Sequence, residues 1–175
     1  MYTKNFPHKR YRITTDFINK HIDKSELILD LGIKNPLSEA LKEDGFQVIN
    51  TNGDDLDIDQ SLILETKATV VTAFQIFEHL LNPFQILNTI KAKKLVCSVP
   101  LRLWFAKAYR NFNDIRDNHF HEFEDWQFRL LLEKTGWKII EEKKFTNPVK
   151  KIGIRPLFRL FTYRYMIIYA EKIDL

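Results

Sequence analysis

The side chains of this sequence that could do chemistry fall into three short groups and one isolated residue. The first group is Asp30 with Gly32, closing the run Leu27-Ile-Leu-Asp-Leu-Gly. The apolar residues of that run read as a short, fully buried strand. A carboxylate and a residue without a side chain then stand where the strand leaves the sheet. In an open parallel sheet, that carboxyl end is where ligands bind. The second group is Glu78-His79, just beyond a β-branched run. It reads as a helix-start pair satisfied by local backbone, or as a place for His79 to act near a substrate, since imidazole titrates close to neutral pH. The third is His119 with His121, two residues apart and so turned to opposite sides if the chain is extended. Neither a cysteine nor a further histidine is near them in sequence, so no metal site is expected. Packing or loop pinning is the expected role, with His119 a candidate general base. Cys97 is the only cysteine and lies in an apolar run. It reads as a small buried hydrophobe, with no internal disulfide and no nucleophilic role.

The elements that must position these groups follow from periodicity and turn residues. Residues 1–10 are polar and basic and read as a loosely held arm. Tyr11, Ile13, Phe17, Ile18 and Ile22 recur at helical spacing, with Thr15 a candidate cap for the part beginning at Asp16. After Gly32, a helix over 37–44 stops at Gly45, and Phe46-Gln-Val-Ile-Asn is the next strand. Strand, helix, strand makes a right-handed parallel unit. Residues 52–61 are acidic and turn-rich, leaving room for only an abbreviated next unit. Residues 68–74 form the clearest strand, rich in β-branched side chains. Asn82-Pro83 starts a helix through about Ile90, and 95–99 is a buried strand ended by Pro100. Residues 101–121 are irregular, aromatic and basic. Residues 122–134 form an amphipathic helix stopped at Gly136. Residues 137–145 and 163–172 are final strands, read as an antiparallel pair around a basic, aromatic segment at 150–161.

Composition sets the outer bounds. The chain has 175 residues with 45% hydrophobic side chains, enough for one domain with an ordinary core. The expected division is an arm and helix (1–24), one half around Asp30 (25–100) and an aromatic, basic half (101–175). No run of about twenty apolar residues suggests a transmembrane helix, and the N-terminus lacks the apolar core of a secretory signal. With its lone cysteine, this points to a reduced, cytoplasmic setting. A net charge of +4 tolerates an anionic partner without requiring one, and no nucleic-acid motif is present.

Four blocks together carry a family likeness: Ile28-Leu-Asp-Leu-Gly, Val70-Val-Thr-Ala-Phe-Gln-Ile-Phe-Glu-His-Leu-Leu-Asn-Pro, Leu95-Val-Cys-Ser-Val-Pro, and His119-Phe-His-Glu-Phe followed by a helix and Thr135-Gly-Trp. In these blocks the chain resembles the class I S-adenosylmethionine-dependent methyltransferases, particularly small bacterial members acting on metabolites or lipid-linked intermediates. The likeness covers roughly residues 25–145. It implies a Rossmann-like α/β fold: a doubly wound, mostly parallel sheet with an antiparallel C-terminal strand pair. It also implies S-adenosylmethionine as cofactor, over the carboxyl ends of the first strands. In that setting Asp30 would lie near the ammonium end of the cofactor and Gly32 would allow close backbone approach. Gln75 would stand by the methionine and adenine region, with Phe74 and Ile76 as apolar wall. Lys34 and Pro36 stand where the family has its later glycines. Asn52 stands where it has the acid that binds the ribose hydroxyls, with Asp54 and Asp55 as substitutes if the register shifts.

The function implied is methyl transfer to a small-molecule, anionic, or lipid- or sugar-linked acceptor, by in-line displacement at an already activated sulfonium methyl. The protein then supplies mainly alignment. Peripheral membrane contact stays open, through the aromatic, basic stretches around residues 102–112 and 155–164. Lys34, Pro36 and Asn52 motivate a rival reading, a methyltransferase fold that has lost catalysis and serves as a binding or scaffolding subunit. A dinucleotide-dependent oxidoreductase is disfavoured, because Gly-x-Gly-x-x-Gly is absent.

Overall fold

The computed structural model describes residues 8–149 and 152–173. The first seven residues of the basic arm, and Lys150 and Lys151 of the later basic segment, lie outside the described residues.

Six strands form one sheet in the order β2-β1-β3-β4-β6-β5. They are β1 (Leu27–Asp30), β2 (Gln47–Asn50), β3 (Val70–Phe74), β4 (Lys94–Pro100), β5 (Trp137–Thr146) and β6 (Tyr163–Lys172). Strands β1 to β4 pair in parallel, and β6 lies antiparallel to both β4 and β5. The expected sheet is therefore present, including its antiparallel C-terminal pair.

Strand periodicity sorts the core into two layers. Ile28, Val48, Val70, Val96 and Ile167 face one side, against Phe17 and Ile18 of α1 (His8–His21), Ile22 just beyond it, and Leu41 of α2 (Pro36–Glu43). Leu29, Val71, Leu95, Cys97 and Ile168 face the other side. There they meet Ile63 of α3 (Ser61–Glu65), Ile86 and Leu87 of α4 (Pro83–Thr89), and Phe128 and Leu132 of α5 (Asp125–Lys134). Alternation every second residue, with helices covering both faces, is what a doubly wound sheet requires. Cys97 is fully buried, and burial pushes its thiol well above the ordinary range.

The local signals are visible in the turns. Asn35 caps α2, accepting from the Leu37 and Ser38 N–H groups while Ser38 Oγ accepts from the Asn35 N–H. Asn82 caps α4 by accepting from Gln85 N–H, with Pro83 in the first turn. Gly45 follows α2 at φ +94°, a conformation that glycine adopts without a Cβ penalty. One expectation differs. Thr15 lies in the middle of α1 and caps nothing, because the helix already begins by His8. Pro100 ends β4 as expected, as its last paired residue. The abbreviated unit is as expected: between β2 and β3 the described chain holds only the five-residue α3. Its acidic loop is tied down by Asp57, which accepts from the Leu81 and Asn82 N–H groups at 2.8 and 3.0 Å.

The basic, aromatic segment before β6 contains an amphipathic helix, α6 (Ile154–Phe161). No helix among the described residues is long and apolar enough to cross a membrane.

Candidate functional site

Parallel strands that end together place their last residues in a row. Asp30 is opposite Asn50 on one side and Thr72 on the other, and Phe74 is opposite Ser98. Asp30 is buried, and its carboxylate accepts from Thr72 Oγ1 at 2.7 Å and from Asn50 Nδ2 at 3.0 Å. Asn50 Nδ2 also donates to the Gly32 carbonyl at 3.2 Å, so one amide fixes both residues of the first group. Burial pushes the Asp30 carboxyl up to about 6, against the hydrogen-bonding influence of Thr72, Asn35 and Asn50.

Two clefts open at this end of the sheet. One, of about 310 Å³, lies between the strand ends and α1, lined by Arg10, Thr14, Asp30, Phe74, Gln75 and Ser98 among others. The second, of about 600 Å³, is lined by Thr51, Gly53, Asp54, Asp55 and Leu56 on one side, and by Leu80 and Phe120 on the other. Gly32, Ile76 and His79 line both, so the clefts share a wall. Their sizes fall within the range of ordinary ligand sites. Gly53 brings the two loops together: at φ +84°, a Cβ there would stand 2.6 Å from the Ile33 side chain.

Gln75 has φ +60°, the only positive value at a non-glycine residue among those described. Its N–H donates to the Ser98 carbonyl at 2.9 Å and its Nε2 to Ser98 Oγ at 3.1 Å. Such a conformation is sparsely populated by residues with a Cβ and is concentrated at functional sites.

Six sequence candidates are thus brought to the clefts: Asp30, Gly32, Phe74, Gln75, Ile76 and His79. Asn52 is exposed and lines neither, whereas Asp54 and Asp55 line the second. The two residues standing in place of family glycines do not crowd the space. Lys34 turns outward to Glu39 at 2.9 Å, and Pro36 occupies the first turn of α2. Arg10, Thr14 and Ser98 were not singled out in the sequence, where nothing indicates that α1 closes over the strand ends.

The histidines are arranged differently from expectation. Glu78 and His79 sit in a short 3₁₀ turn (Phe77–His79), and the Glu78 carboxylate is not satisfied by local backbone. It is fully buried with no hydrogen-bond partner on either oxygen among the described residues. Burial pushes it up to about 8, only partly opposed by its own backbone N–H and by the charges of Arg164 and Arg10. The backbone carbonyl of Glu78 accepts from Phe120 and His121 N–H at 2.8 and 3.2 Å, which draws the 119–121 segment onto the turn. His119 therefore packs edge-on against His79, with ring centroids 4.9 Å apart. It lines neither cleft. His121 instead stacks on Phe123.

No family model matches this chain, and no curated protein matches it. Solved structures do. A SAM-dependent methyltransferase from Archaeoglobus fulgidus superposes with a TM-score of 0.63 at 16% identity, over 93% of this chain and 94% of that one. The fold is that of the SAM-dependent methyltransferases. The Burkholderia thailandensis 1,6-didemethyltoxoflavin-N1-methyltransferase, solved with bound 1,6-didemethyltoxoflavin and S-adenosylhomocysteine, gives 0.60 at 13% identity over 99% and 86%. A structure of the Haloferax volcanii Trm112 methyltransferase activator with a methyltransferase gives 0.59 at 11% over 96% and 92%.

Proposed function

We propose that this protein transfers a methyl group from S-adenosylmethionine to a small-molecule or anionic, lipid-linked acceptor. The observation that carries the reading is the pair of adjoining clefts at the carboxyl ends of β1 and β3, the first lined by Asp30, on a fold whose Burkholderia thailandensis example holds S-adenosylhomocysteine. When bound, the cofactor supplies a sulfonium-activated methyl group.

The residues present fit such a ligand. Asp30 is a buried carboxylate that would accept from the ammonium of the methionine moiety. Gly32 exposes backbone on the wall common to both clefts, and Phe74 and Ile76 supply apolar surface. Asp54 and Asp55 offer acceptors to ribose hydroxyls in the second cleft, the role that Asn52 would fill in the family pattern. Of the two candidate histidines, His79 borders both clefts and can face a bound acceptor, while His119 stands behind it.

Support for an anionic or lipid-linked acceptor comes from α6. Phe158 packs on Trp104 and Phe105, while Ile154, Leu157, Leu160 and Phe161 are exposed. A recess of about 300 Å³ beside α6 is lined by Arg155, Arg159, Pro156 and Phe105. A second reading, a binding or scaffolding subunit without catalysis, draws on Asn52 and on the Haloferax volcanii structure, in which a methyltransferase is paired with an activator.

Calorimetric titration with S-adenosylmethionine and S-adenosylhomocysteine tests the choice. Micromolar binding is expected, weakened at least about tenfold in Asp30→Ala, since hydrogen bonds to charged groups contribute roughly 1.5–3 kcal/mol. A folded protein giving no heat up to millimolar ligand would sink the enzyme reading in favour of the scaffold.

A further inference from the structure

Glu78, His79 and His119 come from two separate stretches of chain, yet one donor atom from each lies within 4.8 Å of the other two. We propose that these three side chains form a binding site for one divalent transition-metal ion beside the two clefts.

Three observations support it independently of any cofactor. First, Glu78 brings a fully buried carboxylate into the cluster with neither oxygen hydrogen-bonded, and Oε1 stands 3.9 Å from His79 Nε2. A buried, unpaired polar group is costly, and a cation is the partner that would offset the cost. Second, both imidazoles are already held through Nδ1. His79 Nδ1 lies 3.0 Å from the Asn118 carbonyl, and His119 Nδ1 lies 2.8 Å from Glu122 Oε1. An acceptor at Nδ1 assigns the proton to that atom and leaves Nε2 with its lone pair. Metal-ligating histidines are oriented in this way, by a carbonyl or carboxylate behind the ring. Third, the two arginines whose charges act on Glu78 form no hydrogen bond with it and are held by other groups. Arg164 donates to the Leu101 carbonyl at 2.6 Å and faces Glu122 at 3.5 Å, and Arg10 lies over the Tyr165 ring.

Two imidazole nitrogens and one carboxylate oxygen suit Zn²⁺, Co²⁺, Fe²⁺ or Mn²⁺ better than Mg²⁺ or Ca²⁺, which favour all-oxygen shells. Metal–ligand bonds of about 2.0–2.2 Å would draw the donors closer than they stand here. Three protein ligands leave positions for water or for an oxygen of a bound molecule. His79 lines both clefts, so the ion would border the space they enclose.

Protein stripped with a chelator and titrated with Co²⁺ or Zn²⁺, with no cofactor present, tests the site separately from methyl transfer. The expected result is one equivalent of Co²⁺ with a visible d–d band, displaced by Zn²⁺. Glu78→Gln and His119→Ala should each weaken binding about 100-fold or more, because even outer-shell partners are worth 10–100-fold. His121→Ala should leave binding unchanged. No binding up to millimolar metal, or binding indifferent to His119→Ala, overturns the proposal. Should the variants fail to fold, Co²⁺ added to the unaltered protein gives the answer by NMR. Paramagnetic shifts of the His79 and His119 ring protons support the site, and shifts confined to other histidines overturn it.

Discussion

A buried carboxylate that is not ion-paired in the free protein makes stability depend on pH in a definite direction. Asp30 has neutral hydrogen-bond partners, Thr72 and Asn50, and burial lifts it from 3.8 to about 6. The folded state thus holds its proton to higher pH than the unfolded chain does. The associated stability is fully present below about 3.8 and is lost as pH rises through about 6. Between pH 4.5 and 7.5 the loss amounts to about 2 kcal/mol, because each tenfold difference in proton affinity between the two states is worth about 1.4 kcal/mol. Urea midpoints for the parent and Asp30→Asn should therefore converge or cross in favour of the variant as pH rises over that interval. A constant difference between the two would mean that Asp30 does not titrate there. A ligand ammonium beside Asp30 acts in the opposite sense, favouring the ionised carboxylate, so cofactor affinity should increase through the same range.

At the scale of elements, hydrophobic patterning was informative wherever an element buries a continuous surface. The β-branched run ending at Phe74 and the Asn-Pro start of α4 are legible because burial and capping act locally. Helix α6 was hidden inside a segment legible only as basic and aromatic, since its apolar residues are not part of the core. Ile154, Leu157 and Phe161 recur at helical spacing and are exposed, and Arg155 and Arg159 flank them. A basic amphipathic helix with an uncovered apolar face has the chemistry that favours a lipid surface. The protein should cosediment with vesicles containing anionic phospholipid and be released by salt, as electrostatic attachment requires. Leu157→Asp should reduce the bound fraction about tenfold or more, because it places a charge in the apolar face. Equal binding of the variant, or none by the parent, would remove the lipid surface from consideration.

For the molecule as a whole, the sheet was readable but the meeting of distant segments was not. Asp30 and Gly32 could be found because a strand end is encoded in a few consecutive residues. The approach of His119 to His79 depends on the Glu78 carbonyl capturing the 120–121 amides, a tertiary contact without a sequence signature. The left-handed backbone at Gln75 is equally silent in sequence. The clefts are bordered by β1, β3, α1, the acidic loop after β2 and the 114–120 segment, so a ligand filling them would bridge parts of the chain that are distant in sequence. Such a ligand binds the folded state alone and must stabilise it, by about 2.7 kcal/mol at a concentration 100 times Kd. For a domain of this size, each kcal/mol raises Tm by about 2–4 °C, so saturating S-adenosylhomocysteine should raise it by roughly 5–10 °C. Asp30→Ala should shrink that rise while leaving any rise produced by Zn²⁺ in place. His119→Ala should do the reverse. Loss of both responses in either variant would show that the clefts and the Glu78-His79-His119 cluster are one site, whereas independent losses would establish two.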